Sequence, residues 1–355
     1  MTLIDDRRDV PEGDEKEIRR RLREDLPDDT FKPNSWRYGW FVLHQAIFWG
    51  GVVFVCTQRP ALWVCAIVSV VMGVTLASQG FLAHEAMHGA LGGPRWMRQA
   101  AGWIGLGPAL IPPTFWARWH NTVHHGNTNN GDRDPDNYGT VARYEKKPGL
   151  AKFTTIAPGS GKWYSYLFLF YSFTFHAQLV LWMQGKHRRE FKGMKRNLHI
   201  AQAFGCLAIW VAIGIWAGWL FAFVTIIPWA IYNFILQSYI LTNHFMRPMA
   251  PTNNPLDNSM SVKEWGPADP VLFHFSHHVE HHLFPRMGSN KAPRVRAWLE
   301  ENEGDRYVCP THWAAVSMLY KTPRVFKDAH TLSDPFGNDE VDIEEIRLEM
   351  LGLTD

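Results

Sequence analysis

Cysteine is scarce in this sequence. The chain of 355 residues has four cysteines, and no two of them form a C-x-x-C pair: Cys56, Cys65, Cys206 and Cys309. A cysteine in an apolar stretch usually behaves as a small hydrophobic side chain, so we predict neither a disulfide framework nor a thiolate metal site. The formal net charge is only +2. Charge therefore does not favour nucleic acid as a partner, and we predict none.

The chain also lacks an apolar stretch near its start. Residues 1–35 carry 19 charged side chains, and no apolar run precedes Trp36. A secretory signal peptide needs an apolar stretch of this kind, so we predict none and expect the N-terminus in the cytoplasm. In contrast, Asp, Glu, Lys and Arg are all absent between Leu198 and Met246. The mean hydropathy of −0.20 would normally indicate a soluble protein. This average is misleading because the charged residues are segregated, so we predict an integral membrane protein.

Four stretches are long enough to cross a bilayer, which takes ~20 apolar residues as a helix. They are Tyr38–Gln58, Ala61–Ala83, Trp163–Gly185 and Leu198–Met246. Arg59 and Pro60 break the first two into a hairpin, because proline ends a helix. The last stretch is too long for one span and is interpreted as a second hairpin that turns near 217–219. A large soluble helical core is the alternative interpretation.

The third stretch is followed by a basic cluster between residues 186 and 196. The positive-inside rule places this cluster in the cytoplasm, so Trp163–Gly185 is predicted to lie in the interface or to dip in without crossing. Ala101–Pro113 is too short to cross and is predicted to be re-entrant. The predicted fold is an all-α integral membrane protein with four transmembrane helices in two hairpins. The predicted fold also includes interfacial or re-entrant helices and a cytoplasmic cap that carries the histidines. Both termini are predicted to be cytoplasmic.

The distribution of charge divides the chain into three parts. They are a charged cytoplasmic flank (1–35), a membrane domain (36–300) and a cytoplasmic C-terminal tail (301–355). Short helices are predicted over Asp14–Asp25, where apolar residues recur every four positions, and over Glu340–Leu351. The sequence leaves open whether these two helices dock on the protein or remain solvated.

Most of the seventeen histidines fall into clusters. The segment from His84 to His88 reads HEAMH and fits the H-E-x-x-H signature of zinc proteases. Two further clusters read HNTVHH and HFSHHVEHH, starting at His120 and His274, and His244 stands between them. Residues three or four apart share a helix face. This spacing pairs His84 with His88, His120 with His124, and His278 with His281 and His282, while His125 points toward a second ion nearby.

The number of histidines argues against a single zinc ion. A catalytic zinc takes three protein ligands and one open position, whereas eight or nine imidazoles are clustered here. Two ions with four or five ligands each would account for this number. Imidazole suits zinc, copper, iron and nickel, so ligand type alone leaves the metal open.

The order and spacing of these clusters resemble the membrane fatty acid desaturase superfamily. HNTVHHGNTN and HHVEHHLFP are similar to the second and third histidine boxes of its acyl-lipid branch, and the resemblance covers residues 36–300. It implies two irons on the cytoplasmic side, with dioxygen as co-substrate. The implied metal ligands are His84, His88, His120, His124, His125, His244, His278, His281 and His282. Residues expected to support these ligands through hydrogen bonds are Glu85, Asn243, His277 and Glu280, with Asp132, Asp134 and Asp136 as further carboxylates.

The resemblance implies a fatty acyl desaturase that takes an acyl lipid or an acyl thioester as substrate. The sequence contains no Rossmann fingerprint, cysteine cluster or haem-binding module, so a separate donor, a ferredoxin or a small b-type cytochrome, is expected to supply electrons. The alternative is a lipid, alkane or carotenoid hydroxylase or ketolase with the same diiron site. More remote alternatives are an intramembrane zinc protease using HEAMH and a non-enzymatic metal or haem carrier.

Overall fold

The computed structural model describes residues 14–249 and 252–354, and it is mostly helical. Residues 1–13 of the predicted N-terminal flank lie outside the described residues. The first helices are α1 (Asp14–Asp25), α2 (Gly39–Gln58), α3 (Leu62–His88), α4 (Arg95–Leu106) and α5 (Pro113–Trp116), which continues into a π-helix (Ala117–His124). Next come α6 (Val141–Lys146), α7 (Ala151–Thr154), a 3₁₀ helix (Trp163–Phe170), α8 (Ser172–Leu179), a second π-helical turn (Val180–Gln184) and α9 (Gly185–His187).

The remaining elements run from the second apolar region to the C-terminus. The helices are α10 (Arg196–Ala217), α11 (Phe221–Val224), α12 (Ile226–His244), α13 (Pro255–Asn258), α14 (Ala268–Val271), α15 (His278–Leu283), α16 (Ala292–Asn302), α17 (His312–Lys321) and α18 (Ile343–Leu351). Short 3₁₀ turns cover Asp28–Phe31, Ser35–Tyr38, Gly107–Ala109, Pro148–Leu150, Arg189–Phe191, Gly218–Leu220 and Ser289–Lys291. A small antiparallel sheet, which the sequence did not predict, has the order β1 (Val325–Phe326), β2 (Thr331–Ser333), β3 (Val341–Asp342).

Three helical stretches of the described chain are long and apolar enough to cross a membrane: 28–58, 62–88 and 196–224. Many of their large apolar side chains face outward; Val42 is 73% exposed and Ile215 is 76% exposed. Exposed apolar surface on this scale is typical of a membrane-facing protein. The predicted break of the last apolar region near Gly218 is confirmed.

Two parts of the predicted topology remain predictions. The stretch from 163 to 184 is bent by 80° between its 3₁₀ helix and α8, so it is either a broken span or a re-entrant segment. Helix α12 was expected to be the last span, but it is not among the described stretches that are long and apolar enough to cross a membrane. Its polar residues are buried against the protein, among them Asn233 and Gln237. The count of four spans therefore remains a prediction.

Helix α3 lies at the centre of the molecule and packs chiefly against α4, α12 and α2. Two glycines allow its closest contacts. A Cβ at Gly105 of α4 would lie 2.2 Å from the carbonyl oxygen of Gln79, and a Cβ at Gly73 of α3 would lie 2.6 Å from Ile231 of α12. Close packing of this kind fixes the C-terminal end of α3, which carries the first histidine pair, relative to the end of α12.

The N-terminal helix docks on the protein. Ile18 and Leu22 of α1 are buried in one cluster with Val279 and Leu283 of α15, and Arg19 donates a hydrogen bond to the carbonyl oxygen of His282 at 3.3 Å. The apolar spacing that predicted this helix therefore marks the face that covers the third histidine cluster.

The C-terminal part also joins the main core. Leu319 of α17, Leu332 of β2 and Ile346 of α18 are buried in the same cluster as residues of α3 and α12. Helix α18 begins at Ile343, later than predicted, because Asp342 ends β3 and its side chain caps the helix. The predicted boundaries near residues 35 and 300 remain predictions, although packing continues across both of them.

Candidate metal centre

The structure brings together the nine histidines that the resemblance implied as ligands. His84 and His88 end α3, His244 ends α12, and three more lie on α15. The π-helix and the residue after it supply His120, His124 and His125. The nine imidazoles form two adjoining groups.

The first histidine group consists of His84, His88, His120, His125 and His281. One ring nitrogen of each lies within 4.8 Å of those of all the others. The Nε2 atom of His120 lies 2.9 Å from that of His84 and 3.2 Å from that of His125. Five imidazoles from three separate segments thus point at one small volume.

The second histidine group contains His124, His244 and His282, whose ring nitrogens also lie within 4.8 Å of one another. We include His278 because its Nε2 atom lies 2.7 Å from that of His244, and its ring centroid is 4.6 Å from that of His282. The two groups adjoin, since the rings of His125 and His282 stack at 4.1 Å.

The division between the groups differs from the one that α-helical spacing predicted. Because residues 117–124 form a π-helix, the backbone N–H of His125 bonds to the carbonyl of His120 five residues earlier, and these two side chains share the first group. His124 belongs to the second group, although it also approaches His120 and Asp136. On α15, His278 and His282 stay together at four-residue spacing, and His281 turns to the first group.

The unpaired nitrogens indicate that both groups fit a metal ion. The Nε2 atoms of His88, His281 and His282 are buried without a hydrogen-bond partner among the described residues. A buried polar atom left without a partner costs about 1–3 kcal/mol. A cation in each group would provide these lone pairs with a partner and relieve the close approach of facing nitrogens. Each group offers four or five imidazole nitrogens, which suffices for one transition-metal ion.

Burial keeps most of the ligand candidates outside the membrane helices neutral. Burial and the neighbouring histidines lower the pKa of His120, His125, His278 and His282 well below the usual value. Metal ions bind the neutral imidazole, so the protein holds these side chains in the form that binding needs.

His124 is held by carboxylates. Its Nδ1 atom lies 3.0 Å from Oδ1 of Asp134 and 3.3 Å from Oδ2 of Asp136. Burial alone would lower the pKa of His124, but these two carboxylates outweigh burial and raise the pKa to about 9. The backbone N–H of Asn129 holds Asp134 in place at 2.7 Å. A carboxylate on Nδ1 fixes the ring so that Nε2 faces the metal.

Replacement of Asp134 by asparagine tests this support. We expect Asp134→Asn to lower metal affinity or activity about 10- to 100-fold, because the ring of His124 loses the charge that orients it. Asp132→Asn is the matched control, since Asp132 is exposed and, among the described residues, the carboxylates paired with His124 are those of Asp134 and Asp136. Metal content and turnover of the two purified variants decide the matter, and equal behaviour of the two variants would refute the assigned role.

The other predicted supporting residues have different partners. Glu85, predicted to support a ligand, instead pairs with the buried Arg37 and accepts a hydrogen bond from the backbone N–H of Ser289 at 2.9 Å. Asn243 is buried, and neither its amide oxygen nor its amide nitrogen has a partner in the described chain. Neither Glu85 nor Asn243 hydrogen-bonds to the nine histidines among the described residues.

Glu280 and His277 support the backbone of the third cluster. Burial would raise the pKa of Glu280, but contacts with His277, Arg296 and Ser261 outweigh burial and lower the pKa to about 2. The Ser261 hydroxyl donates to Glu280 at 2.5 Å and accepts the backbone N–H of His278 at 3.0 Å, which caps α15. His277 contacts Asp269 and Glu280 and stays outside both groups.

Sequence reasoning missed Ser261 and Arg37, because no local pattern links either residue to the histidines.

An apolar cavity of about 230 Å³ reaches the histidines. Five of the nine histidines are among its lining residues: His84, His120, His124, His244 and His278. Elsewhere its walls are chiefly apolar and include Leu106, Phe173, Leu179, Leu236 and Ile240. Phe153, Phe175 and Met183 also line it and are more than one-third exposed. The cavity therefore connects the histidines with an apolar surface.

Fold and site define a membrane protein with a histidine-rich centre that can bind metal. The family model for fatty acid desaturases matches residues 61–315, so the chain belongs to the fatty acid desaturase family. The resemblance seen in the histidine boxes is thereby confirmed. Membership in this family makes the chain an oxidoreductase of lipid metabolism.

One curated relative matches most of the chain. It is the sn-1 acyl-lipid omega-3 desaturase (ferredoxin) of Synechocystis sp., which is 22% identical over 311 residues. The alignment covers 81% of this chain and 81% of that protein.

Proposed function

We propose that the protein is an oxygen-dependent fatty acyl desaturase whose nine clustered histidines hold two irons. The observation that carries the proposal is that five of these histidines, drawn from both groups, line an apolar cavity. Membership in the fatty acid desaturase family supports it. The first histidine group would hold one ion and the second would hold the other.

Ligand number and family together favour iron over zinc. A single catalytic zinc would use three of the nine imidazoles and leave the others buried without a function. When bound, the two irons would use dioxygen and two electrons to remove two hydrogens from neighbouring carbons of the acyl chain. The protein's contribution is to hold the imidazoles in fixed positions and to keep the centre dry.

The cavity walls would set the position of the substrate. An acyl chain is apolar along its length, and the side chains of Leu236, Ile240 and Phe173 provide a complementary surface. Placement is decisive in such a reaction, because a displacement of 1 Å can cost about 100-fold in rate. The carbon pair that lies next to the histidine groups would receive the double bond.

The partners follow from the reaction and the relative. The substrate would be a fatty acyl lipid or an acyl thioester, and the name of the relative favours the acyl lipid. The same name favours a ferredoxin over a b-type cytochrome as the electron donor. The basic segment at 186–196 favours a cytoplasmic position for the active site by the positive-inside rule, with both termini on the same side.

Expression in a host with a simple lipid profile tests the proposed activity. Mass spectrometry of total fatty acids should show a new unsaturated acid, which the His281→Ala, His282→Ala double variant does not form. A hydroxylated or ketonic product in its place would support the alternative of an oxygen-inserting enzyme with the same histidine centre. A product that the double variant also forms would show that the histidines are not required.

A further inference from the structure

We propose that the basic segment 186–196, together with Arg118 and Arg133, is the docking surface for an acidic one-electron carrier protein. Electrons would then enter the metal centre through Asp134 and His124. The inference rests on the proposed function, because the proposed reaction consumes the electrons that such a carrier would deliver. We call this set of residues the basic surface.

The basic surface is strongly positive in a chain that is nearly neutral. Segment 186–196 holds six Lys and Arg residues and a single acidic residue, Glu190, whereas the whole chain carries +2. Lys186, Arg189, Lys192 and Lys195 are exposed, as are Arg118 and Arg133. Several of these side chains thus remain available to a partner.

Hydrogen bonds hold the basic surface against the segment HNTVHH, which begins at His120. Arg118, on the π-helix that bears His120 and His124, donates to the carbonyl oxygen of Glu190 at 2.8 Å. Arg188 donates to the carbonyl oxygen of Arg133, also at 2.8 Å. These two bonds join the basic segment to the π-helix and to the loop that follows it.

The route from this surface to the metal centre is short. Arg133 is exposed, and the next residue, Asp134, is buried with Oδ1 3.0 Å from Nδ1 of His124. One residue of backbone and one hydrogen bond therefore separate the surface from the second histidine group. The side of the centre formed by α15 is not open in this way. Helix α1 covers it, since Ile18 and Leu22 are buried against Val279.

The proposed reaction requires two electrons from outside the chain. Two reduced carriers each lose one electron for every double bond formed. These two electrons, two protons and the two hydrogens from the acyl chain reduce one dioxygen to two waters. An acidic carrier complements the basic surface, and electrostatic steering of this kind raises association rates about 10- to 1,000-fold at low ionic strength.

Charge reversal on the basic surface tests the inference in the purified holoenzyme. The probe is a plant-type [2Fe–2S] ferredoxin kept reduced by NADPH and its reductase. The Arg189→Glu, Lys192→Glu variant should raise the KM for ferredoxin about 10- to 100-fold at low salt, with kcat at saturating ferredoxin nearly unchanged. The difference should shrink as salt rises, because exposed charges are screened. Turnover driven by dithionite and methyl viologen should be the same as that of the unmodified protein.

Control measurements separate this inference from its competitors. Lys32→Glu, Arg95→Glu changes two exposed cations outside the basic surface and should leave the KM for ferredoxin unchanged. An unchanged KM in Arg189→Glu, Lys192→Glu would overturn the inference, as would an equal loss of dithionite-driven turnover. Weaker binding of that variant to anionic lipid vesicles, with ferredoxin kinetics intact, would assign the charges to lipid head groups instead.

A direct measurement of ferredoxin binding distinguishes a failure of this inference from a failure of the proposed function. Calorimetric titration should show salt-sensitive binding that Arg189→Glu, Lys192→Glu weakens. If the unmodified protein binds ferredoxin in this way but shows no turnover with any reductant, the proposed function fails and the docking surface stands. If turnover with dithionite is normal and no ferredoxin binding is detected, the docking surface fails and the proposed function stands.

Discussion

Replacing His120 or His244 with alanine should abolish activity and lower the iron content below two per chain. Each variant removes one imidazole from a different histidine group, so both groups are tested separately. Loss of a residue that merely supports a ligand already costs about 10- to 100-fold, and loss of a ligand should cost more. Iron per chain and turnover with a chemical reductant are the measurements.

Two control variants make this result specific. His330→Ala changes a histidine that lies outside both groups and should keep two irons and full activity. His274→Ala should also keep both irons, because His274 pairs with Asp269 at 2.7 Å and lies outside both groups. If His274→Ala lost iron as His120→Ala does, the assignment of ligands in the third cluster would be wrong.

The second large effect is expected at the buried pair of Arg37 and Glu85. Arg37 is 2% exposed and Glu85 is 5% exposed, so Arg37→Ala would leave an uncompensated charge inside the protein. Breaking a buried pair in this way costs about 3–5 kcal/mol. Because Glu85 lies on α3 between His84 and His88, we also expect the variant to bind less iron. Thermal unfolding in detergent and iron content are the measurements.

Three companion variants test the physical reason for that effect. Arg95→Ala removes an exposed arginine and should change stability little. Replacing both Arg37 and Glu85 with methionine should recover much of the loss, because the buried charge is then removed altogether. Glu85→Gln leaves Arg37 without its counter-charge and should also lower stability, but it should retain measurable activity, whereas a zinc protease using HEAMH would lose all activity. Full stability of Arg37→Ala would contradict the account.

The histidines could be predicted because local spacing identifies them. Residues three or four apart share a helix face, and the order of the clusters matches the boxes of a known family. The structure places all nine together. The division into two groups was not predictable, because it depends on a π-helix over Ala117–His124. Nothing in that segment departs visibly from an α-helical pattern.

The membrane stretches could be predicted in the same way from apolar length. Helix α12 was predicted to be a span as well, but it is not among the stretches long and apolar enough to cross a membrane, so that span stays a prediction. Its buried polar residues contact other parts of the protein: Asn233 accepts a hydrogen bond from the backbone N–H of Thr174 at 2.9 Å. Contacts between residues so far apart in the chain leave no local signal. The pairing of Arg37 with Glu85 escaped prediction for the same reason.

Turnover under ¹⁸O₂ tests the central claim most directly. Purified protein with reduced ferredoxin and an acyl lipid should convert one labelled dioxygen into two labelled waters for each double bond formed. The fatty acid product should have lost two hydrogens and contain no ¹⁸O. A product that carries one ¹⁸O as a hydroxyl group would contradict the desaturase assignment and establish an oxygen-inserting enzyme.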